Sequence, residues 1–66
     1  MREKDLVANN CYTDDKGNIR KLVYRGPFIS VYSIISTAQN LYQDIEVAHQ
    51  CKTTTFARWA KSEVAL

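Results

Sequence analysis

The 66-residue chain, with a net charge of +2 and 24% charged residues, has room for one domain spanning 1–66 and no second core. Seven aromatics and a hydrophobic fraction of 45% exclude intrinsic disorder, and so small a charge excludes strong non-specific binding to DNA. A domain of this size buries only about 60% of the surface of its unfolded chain, so its core is marginal and a partner would steady it.

The charge is unevenly spread. Residues 1–15 carry two bases and four acids, 16–25 carry four bases and no acid, 26–43 carry no charge, and 44–66 carry three of each. A basic stretch (Lys16, Arg20, Lys21, Arg25) thus precedes an uncharged one. Residues 1–5 lead into no apolar signal-peptide core, and Ser30, Ser33, Ser36, Thr37, Gln39, Asn40 and Gln43 interrupt the uncharged stretch too often for a membrane span. The expectation is a reducing cytoplasm, in which Cys11 and Cys51 remain thiols.

Along the chain, residues 1–12 start charged and turn apolar at Leu6, Val7 and Ala8, which predicts a short strand or extended arm. Residues 12–18 (Tyr-Thr-Asp-Asp-Lys-Gly-Asn) form a hairpin tip, because Asp and Asn bond their own backbone and Gly17 supplies positive φ. The ligand spacing and closing Glu of a calcium loop are absent. Residues 19–25 alternate as a strand, with Ile19, Lys21, Val23 and Arg25 on one face and Arg20, Leu22 and Tyr24 on the other. Gly26-Pro27 ends it.

Residues 28–50 admit two readings. Val31, Ile34, Ile35, Ala38, Leu41, Tyr42, Ile45 and Ala48 recur at helical steps. The Ser-rich, β-branched composition of 28–37 and the alternation of 44–51 favour two strands, 29–36 and 45–51, joined by a polar loop or single helical turn over 37–44. The last segment is a helix. Thr54 or Thr55 caps its first turn, Phe56, Trp59 and Ala60 share its core-facing side, and Arg58 and Lys61 lie opposite. Residues 62–66 continue that helix or form a short closing strand.

The segment Cys51-Lys52-Thr53-Thr54-Thr55-Phe56-Ala57-Arg58-Trp59-Ala60-Lys61 resembles the C-terminal end of small uncharacterised proteins encoded by tailed phages and prophages. Asp5-Leu6-Val7, the glycine-containing turn and the basic-apolar strand 19–24 are similar in outline to their N-terminal part. The resemblance implies a phage context, no activity, and an SH3-like small barrel or twisted antiparallel sheet with a C-terminal helix. The fold expected is therefore mainly β or α+β. If 28–50 is helical, the alternative is a β-hairpin plus two helices.

No catalytic constellation is present. His49 and Cys51, two apart on a strand, would share a face, but no third orienting group or oxyanion-forming loop accompanies them. Cys11, His49 and Cys51 are one ligand short of a closed zinc site, which Asp44 or Asp15 could complete on paper, but none shows the usual Cys-x-x-Cys spacing, so no metal and no cofactor is expected. Two binding readings remain. Lys16, Arg20, Lys21 and Arg25, interleaved with Tyr12 and Tyr24, would suit phosphates and unpaired bases. Phe28, Tyr32 and Tyr42 exceed what so small a core can hide and would suit a protein partner, a host factor or a second copy. The expectation is a non-enzymatic module that binds protein first and nucleic acid second, through Lys16, Arg20, Lys21, Tyr24, Arg25, Tyr32 and Tyr42, with no membrane and no small-molecule substrate. Phe56 and Trp59 are assigned to the core.

Overall fold

The computed structural model describes residues 1–37 and 47–65. A 3-10 turn, Glu3–Asp5, leads into β1 (Cys11–Thr13), so the predicted arm opens helically and only its end is a strand. β2 (Ile19–Arg25) and β3 (Ile29–Ser36) follow as predicted. β4 (His49–Lys52), α1 (Thr53–Trp59) and β5 (Ser62–Val64) complete the chain. The five strands form one antiparallel sheet in the order β4-β3-β2-β1-β5. Four strands run as a meander, and the fifth returns to the first after a short helix, which gives the expected antiparallel sheet with a C-terminal helix. The one-long-helix alternative fails over Ile29–Ser36, where β-branched side chains pair on both edges. The polar loop, Tyr42 and the first part of the strand expected over 45–51 lie outside the described residues.

The first hairpin closes as its residues dictate. Asp14 accepts the Lys16 N–H at 2.9 Å and the Asn18 side-chain amide at 2.8 Å, while Asp15 and Gly17 take φ of 65° and 91°. The second hairpin is tighter. The Gly26 N–H donates to the Ile29 carbonyl at 3.1 Å, and Pro27 and Phe28 occupy the tip. A Cβ on Gly26 would collide with the Ile29 carbonyl and lie 2.8 Å from the Tyr24 ring, so the turn needs glycine for close approach.

The core lies between the sheet and α1. Leu6, Tyr12, Leu22, Phe56, Ala57 and Ala60 are buried, with Tyr32, Cys51 and Trp59 packed against them. Tyr12 meets Phe56 edge-on, with centroids 5.9 Å apart, and its hydroxyl accepts the Val7 N–H at 2.8 Å. Tyr12 is thus a core residue rather than a base-stacking one. Phe56 is fully buried as expected, whereas Trp59 is only half-buried.

The capping expectation is corrected. α1 starts at Thr53, with Lys52 in the cap position and no side-chain cap, and Thr54 and Thr55 are exposed in its first turn. Thr53 turns its hydroxyl into the sheet. Its Oγ1 donates to the Gly26 carbonyl at 2.7 Å and meets Ser30 Oγ at 2.7 Å, while its N–H donates to the Phe28 carbonyl at 2.8 Å. The tertiary partner outcompetes the local cap because these groups are buried, and an unpaired buried hydroxyl or carbonyl would cost about 1–3 kcal/mol. The closing segment is the strand β5 rather than a longer helix, because the Lys61 N–H finds the Thr13 carbonyl at 2.8 Å.

Candidate protein-binding surface

Paired residues on neighbouring strands share a face, so the register sorts the side chains. Tyr12 pairs Arg20, Leu22 pairs Tyr32, and Tyr32 pairs His49. Ser30 pairs both Arg25 and Cys51. These face α1. Cys11 pairs Lys21 and Val64, Lys21 pairs Ser33, Tyr24 and Gln50 pair Val31, and Ile29 pairs Lys52. These face outward, and α1 does not cover them.

The simple alternation expected of β2 is corrected by a bulge. Leu22 pairs Tyr32 but Tyr24 pairs Val31, so Val23 and Tyr24 together oppose one residue. Beyond the bulge the faces exchange. Tyr24 moves to the Lys21 side, 56% exposed, and Arg25 moves to the inner side.

The basic stretch is consequently dispersed. Lys16 is exposed at the first hairpin tip. The Arg20 guanidinium lies 4.2 Å from the Trp59 ring centroid and 4.7 Å from that of Tyr32, half-buried between them. Lys21 is exposed on the outer face, and Arg25 donates to the Glu3 carbonyl at 3.0 Å. Arg58 on α1 lines a shallow depression of about 480 Å³ with Met1, Arg2, Glu3, Thr54 and Ala57. The four bases of 16–25 therefore form no continuous phosphate track.

Tyr32 is half-buried. It stacks on His49, with centroids 5.2 Å apart and planes 18° apart, and tilts against Phe56 at 5.7 Å. It serves the core rather than a free surface. Tyr42, the seventh residue singled out in the sequence, lies outside the described residues.

The chemistry sought at Cys51 runs the wrong way for a nucleophile. Burial pushes the Cys51 thiol above its ordinary value, and the nearby Arg20 charge opposes that only in part. Cys11 faces outward on β1 and Cys51 inward on β4, with β2 and β3 between them, so the sheet does not bring the two thiols together with His49. Among the described residues, no three His, Cys, Asp or Glu side chains converge as a metal site would require.

What the structure does gather is an apolar end. Phe28 is 80% exposed, and Tyr24, Ile29 and Val23 are about half exposed around the second hairpin. The sequence showed Phe28 only as part of an apolar excess. Its position after Gly26-Pro27, in a turn where a large ring has nowhere to fold back, is the signal that marks it. The chain around it is fixed: Gly26 and Ser30 are buried and Thr53 holds the Phe28 carbonyl. Comparison with family models, curated proteins and solved structures finds no match.

Proposed function

We propose that this chain is a small non-enzymatic binding module that works by protein–protein contact through the end of its second hairpin. One observation carries the reading. Phe28 presents an 80% exposed ring on a backbone held by three hydrogen-bonded neighbours, Gly26, Ile29 and Thr53. An apolar ring kept in water by a rigid turn binds without an ordering cost, as interface anchors do. The resemblance to small phage and prophage proteins supports a host protein as the partner.

Nucleic-acid binding ranks second. Lys21 and Tyr24 on one face favour it, but Arg20 and Arg25 are engaged within the fold. A pull-down from bacterial lysate, with and without nuclease, separates the two. The expected result is a retained protein that survives nuclease and is lost with Phe28→Ser. Retention abolished by nuclease and indifferent to Phe28→Ser would give the second reading.

A further inference from the structure

Resting on that protein-binding reading, we propose that the docking surface continues from Phe28 across the outer face of the sheet, and that its partner is a protein segment carrying carboxylates on either side of an apolar centre. The register places Tyr24, Val31 and Ile29 on this face, with Val23 at the bulge beside Tyr24. Val23, Tyr24 and Ile29 are 43%, 56% and 45% exposed, and the helix lies on the other face. Flanked on the same face by Lys21, Ser33, Gln50 and Lys52, these apolar side chains make an apolar centre with a polar rim, the make-up of a docking surface.

The charges on the face state the chemistry of the occupant. Lys21 on β2 and Lys52 on β4 are exposed there beside the apolar side chains, whereas the Asp15 carboxylate lies at the first-hairpin end of the face, where it accepts from Ser62 at 3.3 Å. Glu63 pairs Tyr12 and so belongs to the opposite side, where it accepts from Asn10 at 3.0 Å. Around the apolar centre a second copy would set lysines against lysines, so this part of the face is complementary to an acidic partner. Lys21 pairs Ser33 and Lys52 pairs Ile29, four residues apart on β3. With two strand spacings between β2 and β4, the two lysines lie roughly 16 Å apart. The partner's carboxylates should be separated by a similar distance, about five residues of extended chain.

The test is a selection of random 16-residue displayed peptides against the biotinylated protein, with the parent, Phe28→Ser, and the double variant Lys21→Glu, Lys52→Glu. All three substitutions are at exposed positions, and circular dichroism checks that the fold is retained. The parent should enrich peptides with Asp or Glu flanking Leu, Phe or Trp. Those peptides should bind the double variant at least tenfold more weakly, lose affinity as NaCl rises, and shift outer-face amide resonances at Lys21, Tyr24 and Val31. Peptides that require Phe28 but carry no acidic bias, or are indifferent to charge reversal, overturn this inference and leave the protein-binding reading standing. Peptides indifferent to Phe28→Ser, or no enrichment at all, overturn both. A parent that sediments as a dimer with Tyr24 protected also overturns the inference, since the face would then belong to a second copy.

Discussion

Ser30 and Thr53 share one proton line through the buried seam between sheet and helix. Thr53 gives its hydroxyl proton to the Gly26 carbonyl at 2.7 Å, so Ser30 is the donor in the 2.7 Å bond to Thr53 Oγ1. Both side chains are fully buried, and the pair ties the start of α1 to the hairpin that carries Phe28.

Replacing Thr53 by Val keeps the shape and removes both bonds. The Ser30 hydroxyl and Gly26 carbonyl are then left unpaired in the interior, which should cost about 2–3 kcal/mol. Thr53→Ser, which keeps the hydroxyl, should cost less than half as much. Urea denaturation with an unchanged slope measures both, and a Val variant as stable as the parent would contradict the seam.

Arg20 and Trp59 form the second tie. Trp59→Ala should cost about 3 kcal/mol, the lower end for a large aromatic because the ring is half-buried, and Phe56→Ala about 4 kcal/mol. A double-mutant cycle on Arg20 and Trp59 should return a coupling of about 0.5–1 kcal/mol, the size of a partly exposed cation–π contact. Additive single effects would show that the guanidinium merely rests there.

Gly26→Ala should destabilise the domain and also disturb the exposed turn, because the new Cβ meets the Ile29 carbonyl, a backbone atom that cannot swing aside. Phe28→Ser, which changes an 80% exposed side chain and leaves the backbone bond to Thr53 in place, should leave the melting temperature within a degree or two. The contrast between the two variants, followed by thermal melts, separates the turn's scaffold from its payload.

Asp14 gives a pH dependence of defined sign. The Asn18 side-chain amide, aided by the Lys16 and Asn18 backbone N–H groups, holds its carboxyl below the ordinary 3.8. A carboxylate with a lowered folded value stabilises above its unfolded value and loses that contribution as pH falls through the folded one. The Lys16 and Asn18 amide resonances should therefore move on acidification with a midpoint below 3.8. In Asp14→Ala they should lack this transition altogether.

Cys51 should alkylate more slowly than a free thiol, since burial raises it above the ordinary 9.0 and the thiolate is the reactive form. Arg20→Ala removes the charge that opposes this rise, and should slow iodoacetamide labelling further in a Cys11→Ser background. Faster labelling in the Arg20 variant would instead report that the guanidinium was shielding the sulfur.

The sequence by itself determined what depends on near neighbours. Gly17 and Asp14 declared the first turn, Gly26-Pro27 the second, the β-branched runs the strands Ile19–Arg25 and Ile29–Ser36, and the spacing of Phe56 and Trp59 a short helix. Each of these follows from dihedral preferences and side-chain period acting over a few residues. Only the tertiary structure decided which way the bases point. The bulge at Val23 and Tyr24 exchanges the faces of β2, and a one-residue offset of that kind has no signature in an alternating pattern. It also decided that Thr53 serves the sheet rather than the helix, because Gly26 and Ser30, more than twenty residues away, offered buried partners that a local cap does not. The candidate site lies on that second list: Phe28 is legible as an aromatic in a turn, but its fixed exposure and the pair of lysines on the bare face exist only once the strands are in register.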